Sequence, residues 1–142
     1  MSTNQEHPVV VSLGASGLAT RVQVGGHVLH ADEPIDVGGT DTGPTPYDFL
    51  LTALGTCTAM TLRMYADRKG WPLTGVVVKL QHERLHAADC EACETTTGYI
   101  LQITKQLELE GDLSDEQQAR LREIADKCPV HRTLTSEIRI VS

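Results

Sequence analysis

The residues best suited to chemistry in this 142-residue chain are its four cysteines, and each sits in different company. Cys128 opens the segment Cys128-Pro129-Val130-His131-Arg132. Proline fits the first position of a helix, so the thiol falls at a helix start, where unpaired N–H groups and the positive end of the dipole favour an anion. Lys127, His131 and Arg132 add cationic or donor character, and together these features point to a lowered thiol pKa and a reactive sulfur. The same residues also suit a small buried plug at a helix end. Cys57 stands among Ala53, Gly55, Thr56, Thr58 and Ala59. Read alone it fills space in a core, although neighbours this small leave room for a reactant or a second sulfur. A third constellation is His82-x3-His86-x3-Cys90-x2-Cys93. Two imidazoles and two thiols meet the ligand count of tetrahedral zinc; the Cys-x2-Cys spacing equally suits an auxiliary dithiol, and an ordinary loop accounts for the same residues. Asp89, Glu91 and Glu94 beside those cysteines oppose thiolate formation.

The elements that must position these residues are marked by turn and cap chemistry. Pro8 to Leu13, Leu18 to Val24 and His27 to Ala31 alternate or are β-branched, and Gly25-Gly26 is a hairpin-type turn, which predicts an antiparallel meander. The stretch Gly38 to Pro46, rich in Gly, Pro and Thr, forms a loop. Thr45 then serves as N-cap, Pro46 takes the first helical position and Asp48 the third, completing a capping box. Apolar and small residues recur at helical spacing to Tyr65, and Gly70 with Pro72 ends the segment. This long helix is apolar over most of its circumference, so we expect burial on more than one side, with a partner subunit supplying the second wall. Asp48 lies nine positions before Cys57 on roughly the same helix face, and its capping role explains it without chemistry. Strands are predicted from Val76 to about Arg84 and from Tyr99 to Glu110, pairing as a hairpin across the loop Leu85 to Gly98. Ser114 with Gln117 caps an amphipathic helix ending near Lys127, and alternation at Ile138 and Ile140 predicts a closing strand over Glu137 to Val141.

Composition narrows the function classes. A length of 142 residues with 40% hydrophobic and 22% charged residues predicts one soluble domain. The net charge of -7 repels phosphate backbones, and five aromatic residues are too few for a base-stacking platform as well as a core, so nucleic acid is not an expected partner. The best apolar run, Phe49 to Gly55, is far short of the roughly 18 residues needed to cross a bilayer. Residues Met1 to His7 lack a basic segment leading into an apolar one, which predicts a cytoplasmic protein whose thiols stay reduced.

Gly43-Pro44-Thr45-Pro46-Tyr47-Asp48-Phe49-Leu50, then Gly55-Thr56-Cys57, then the distant Cys128-Pro129-Val130 together resemble the OsmC/Ohr family of thiol peroxidases, over about residue 37 to the end. The resemblance implies an α+β, two-layer fold with antiparallel sheets around a long central helix, in an intertwined homodimer with two equivalent sites. It implies a cofactor-free enzyme in which Cys57 attacks the O–O bond of an organic or hydrogen peroxide, becomes a sulfenic acid, and is captured by Cys128 as a disulfide that a dithiol or redox protein reduces. It further implies an acidic residue, here Asp48 in place of the usual glutamate, orienting an arginine that holds the first thiolate. Arg21 is the arginine this sequence offers in the N-terminal strands, without a motif around it. The alternative function is a redox sensor or interaction module stabilised by zinc at His82, His86, Cys90 and Cys93.

Overall fold

A computed structural model describes residues 4–142; the N-terminal reading rests in part on Met1 to Thr3, which lie outside the described residues. The chain divides into two compact units, one reaching Thr52 and the other running from Ala53 to Ser142. In the first, β1 (Val9–Leu13), β2 (Thr20–Val24) and β3 (His27–Ala31) form the expected antiparallel meander in the order β1-β2-β3. Gly25, at φ 56°, supplies the left-handed backbone that the β2–β3 turn requires. A single turn of 3₁₀ helix, Ile35–Val37, follows.

Helix α1 (Pro46–Lys69) begins where the capping box places it: Asp48 N donates to Thr45 Oγ1 at 3.1 Å, and Thr45 N donates to the Asp48 carboxylate at 2.9 Å. It ends by a Schellman arrangement, with Gly70 at φ 70°, Gly70 N donating to Asp67 O and Trp71 N to Ala66 O. Leu51, Leu54, Thr58, Leu62 and Ala66 face inward, whereas Thr56, Met60 and Met64 on the opposite face are exposed. The expected burial on more than one side is therefore not reached within one chain.

The second unit is built on a hairpin of β4 (Leu73–His86) and β5 (Tyr99–Gly111), both longer than the residue pattern predicts. The strands continue because every rung from Gly75–Glu110 to His86–Tyr99 finds its partner, even where the side chains are polar. Val76, Val78 and Leu80 on β4 and Ile103, Leu107 and Leu109 on β5 alternate toward the protein. Helix α2 (Asp115–Ala125), capped reciprocally by Ser114 and Gln117, packs Leu121, Ile124 and Ala125 against Leu62, Ala66 and Leu73. It ends two residues before the expected Lys127. Helix α3 (Pro129–Leu134) follows with Cys128 as its N-cap. The closing strand expected over Glu137 to Val141 is absent: these residues have no regular structure, and Ile138 and Ile140 are 54% and 89% exposed. Alternation specifies which side chains share a face, but a strand also needs a neighbour's backbone, and this tail has none among the described residues.

Candidate functional site

Cys57 and Cys128 come together in the second unit. Helix α1 delivers Cys57 one turn after Leu54, and the break between α2 and α3 delivers Cys128; with Leu54 they form one buried cluster, covered by Leu80, Ile103, Val130 and Leu134. Both are free thiols, 4% and 0% exposed, so neither reacts without a channel or local opening. Gly55 makes the close packing possible, because a Cβ there would stand 2.7 Å from Leu80 Cδ1. Each sulfur accepts one backbone N–H from α3: Val130 N donates to Cys57 Sγ at 3.5 Å and His131 N to Cys128 Sγ at 3.4 Å. Thr58 Oγ1, which bonds Leu54 O, lies 3.7 Å from Cys128 Sγ.

Burial is the main influence that pushes the Cys57 thiol pKa above its ordinary value. The Val130 N–H opposes it, while the adjoining Cys128 thiol raises the value further, both as hydrogen-bond partner and as a second potential negative charge. The Thr61 hydroxyl one turn along α1, buried and otherwise unpartnered, also favours the thiolate. A cavity of ≈ 240 Å³ lies across Leu54, Ile103 and Leu134, which also pack against the pair; neither sulfur lines it, and Leu101, Lys105, His131 and Thr135 complete its walls. Two adjacent thiols can store two oxidising equivalents as one S–S bond, and the neighbouring cavity has room for a small apolar molecule on the far side of their apolar cover.

A family model described as OsmC-like protein matches residues 39–142. The chain belongs to the OsmC-like family. No curated protein matches it closely in sequence. Among solved structures, it is similar to an OsmC-like protein from Mycoplasma pneumoniae, at 17% identity and a TM-score of 0.72, covering 94% of this chain and 90% of that one. It is also similar to the organic hydroperoxide resistance protein OhrB of Bacillus subtilis, at 17% identity and a TM-score of 0.61, with 92% of each chain covered. A third relative in structure is an organic hydroperoxide resistance protein OsmC from Legionella pneumophila, at 15% identity and a TM-score of 0.63, covering 94% and 93%. Identities this low establish the α+β fold of this OsmC-like chain and nothing finer.

The other expected site residues of the OsmC-like chain have local partners. Asp48 spends its carboxylate on the cap of α1, and Arg21 on β2 donates to Gln23 Oε1 at 2.9 Å; neither forms an ion pair among the described residues. Of the His/Cys constellation, His82 and His86 lie on β4, His86 stacks on Tyr99 with ring centroids 4.5 Å apart, and Cys90 and Cys93 are joined in a disulfide. Among the described residues no group of three or more His, Cys, Asp or Glu side chains is placed to hold a metal ion. Nor is any described helix long and apolar enough to cross a membrane.

Sequence reasoning named His131 beside Cys128 and Thr58 beside Cys57, but missed that Thr58 reaches Cys128 and that Thr61, four residues after Cys57, faces its sulfur. It also missed Asp32, which organises the loop before α1. Its buried carboxylate accepts from the hydroxyls of Thr40 and Thr42 at 2.6 and 2.7 Å and from the backbone N–H groups of Glu33, Thr40 and Thr42. The two threonine hydroxyls, then the Glu33 N–H, hold this carboxyl far below the usual carboxylate range.

Proposed function

We propose that this chain is a cysteine-dependent hydroperoxide reductase acting in oxidative stress defence, and the adjacency of two buried thiols, Cys57 and Cys128, carries the reading. The Cys57 thiolate attacks the peroxide oxygen distal to the organic group; the O–O bond breaks, Cys57 becomes a sulfenic acid, and the departing alkoxide takes a proton to leave as alcohol. The Cys128 thiol then condenses with the sulfenic acid, expelling water and forming the Cys57–Cys128 disulfide. A dithiol or redox protein returns both sulfurs to thiols, so no cofactor takes part. The names of the Legionella and Bacillus structures, both organic hydroperoxide resistance proteins, support a peroxide with an apolar substituent.

The acting form in this reading is a cytoplasmic homodimer. Two features support the second copy: the exposed Thr56, Met60 and Met64 on α1, and the unpaired apolar tail at Ile138 and Ile140. Activation of Cys57 by Arg21 and Asp48 requires both to leave the contacts they make here. The test is stopped-flow consumption of cumene hydroperoxide by reduced protein. We expect Cys57→Ser to abolish it and Cys128→Ser to permit one turnover that ends in sulfenic acid. Equal rates for the parent and Cys57→Ser would refute the reading.

A further inference from the structure

The proposed peroxide cycle leaves a second pair of cysteines unused. Cys90 and Cys93 form a disulfide at the tip of the β4–β5 hairpin, with Cα atoms 5.5 Å apart, beyond the last rung at His86–Tyr99. The tip has a defined shape: Ala87 N donates to Gly98 O at 2.8 Å, Cys90 N to Ala87 O at 3.1 Å, and Arg84 lies over the Tyr99 ring that His86 stacks on. Both sulfur-bearing residues are partly exposed, and Asp89, Glu91 and Glu94 around them are exposed.

One molecule therefore holds two pairs in opposite redox states, disulfide at the tip and dithiol at Cys57 and Cys128. Where two such couples exchange, electrons collect on the pair of higher potential, so a relay toward the core requires the buried pair to have the higher one. The local charge agrees. Three carboxylates beside Cys90 and Cys93 destabilise the thiolates of the opened form, and a dithiol whose reduced form is not stabilised is a good electron donor.

We propose that Cys90–Cys93 is a second thiol–disulfide exchange centre, taking electrons from an external dithiol protein and passing them to the Cys57–Cys128 disulfide of another copy of the chain. The inference rests on the peroxidase reading above, which supplies that disulfide. Transfer within one chain is excluded by length: from Leu80, which covers the buried pair, six residues of extended strand reach His86, roughly 20 Å away. In the transfer, the Cys90 thiolate attacks Cys57 Sγ and the Cys57–Cys128 bond breaks. Cys128 departs with the electron pair, eased by the His131 N–H at 3.4 Å, and takes a proton. Cys93 then attacks Cys90 in the mixed disulfide, re-forming Cys90–Cys93 and releasing Cys57 as a thiol. Two electrons and two protons have moved, and the external dithiol, oxidised to its own disulfide, reopens the tip.

The test takes the full chain through graded ratios of reduced to oxidised dithiothreitol, traps thiols by alkylation and reads each pair by peptide mass. We expect Cys90–Cys93 to open last, at a ratio where Cys57 and Cys128 are already dithiol; the reverse order overturns the proposal. If Cys57–Cys128 never closes, the peroxidase reading fails and the relay with it; if it closes normally while Cys90–Cys93 never opens, only the relay fails. A second arm compares the parent with Cys90→Ser/Cys93→Ser, changes in an exposed loop. Recycling by reduced thioredoxin should slow at least tenfold while the first peroxide turnover stays unchanged, and recycling by the parent should quicken with its own concentration. Unchanged recycling in the variant overturns the proposal.

Discussion

Gly55→Ala tests the packing that sets Cys57 against the hairpin. Alanine at a helix interior is favoured over glycine by about 1 kcal/mol. Against this, the new methyl would stand 2.7 Å from Leu80 Cδ1, where carbon atoms in contact keep about 3.5–4.0 Å, so the leucine tip must retreat by about 1 Å. That tip belongs to the cover of the two sulfurs, and forcing a methyl into a packed layer costs about 1–3 kcal/mol. The net expectation is a loss of about 0–2 kcal/mol. In a Leu80→Ala background the obstacle is gone and the same substitution should stabilise by about 1 kcal/mol, giving a coupling of about 1–3 kcal/mol between the two sites. Urea unfolding of the four proteins measures it, and the Gly55→Ala protein should also show a changed rate of Cys57 alkylation. An effect of Gly55→Ala that is the same in both backgrounds to within about 0.5 kcal/mol would refute the close approach of α1 to β4.

Three further outcomes follow from the electrostatics and the cap. Because burial raises the Cys57 pKa above the cysteine norm of about 8.5, the rate of the first peroxide turnover should climb about tenfold per pH unit between pH 6 and 8; a plateau by pH 7 in stopped-flow traces would contradict it. The sign for stability is the reverse: the raised folded-state value stabilises fully below the unfolded value, and that contribution is lost as pH rises beyond it, which urea titrations at pH 7 and 10 detect. Asp48→Ala removes one half of the α1 capping box and should cost about 1 kcal/mol in thermal unfolding with less than a twofold change in peroxide rate. A tenfold fall in rate would instead assign Asp48 the charge-orienting part that the family resemblance implies.

Much of this fold was legible because local chemistry agrees with tertiary structure. Thr45, Pro46 and Asp48 announce α1, Gly70 stops it, and Ser114 with Gln117 announces α2; each is a backbone-satisfying device that acts within five residues. The ends of β4 were not legible: Leu73 to Gly75 and Leu85 to His86 lie outside the expected Val76 to Arg84 and are held in the strand largely by partners on β5, whose own bounds differ from expectation by Gly111 alone. The tail at Ile138 and Ile140 has the alternation without the partner, so the same rule overreached there. For the site, the cap position of Cys128 followed from Pro129, but nothing in spacing brings position 128 to position 57; that contact depends on α3 folding back onto α1. Asp32 was invisible because its five donors are gathered by the shape of the loop, not by any motif.

The two buried sulfurs are neighbours in space but about 70 residues apart along the chain, whereas Cys90 and Cys93 are separated by three. Joining the distant pair would tie a long segment into a ring and remove about 4 kcal/mol of disorder from the unfolded chain, while the small ring at the hairpin tip restrains far less. In the proposed cycle, oxidation at the core would thus double as a rivet: a molecule carrying the Cys57–Cys128 disulfide would resist unravelling more than its dithiol form.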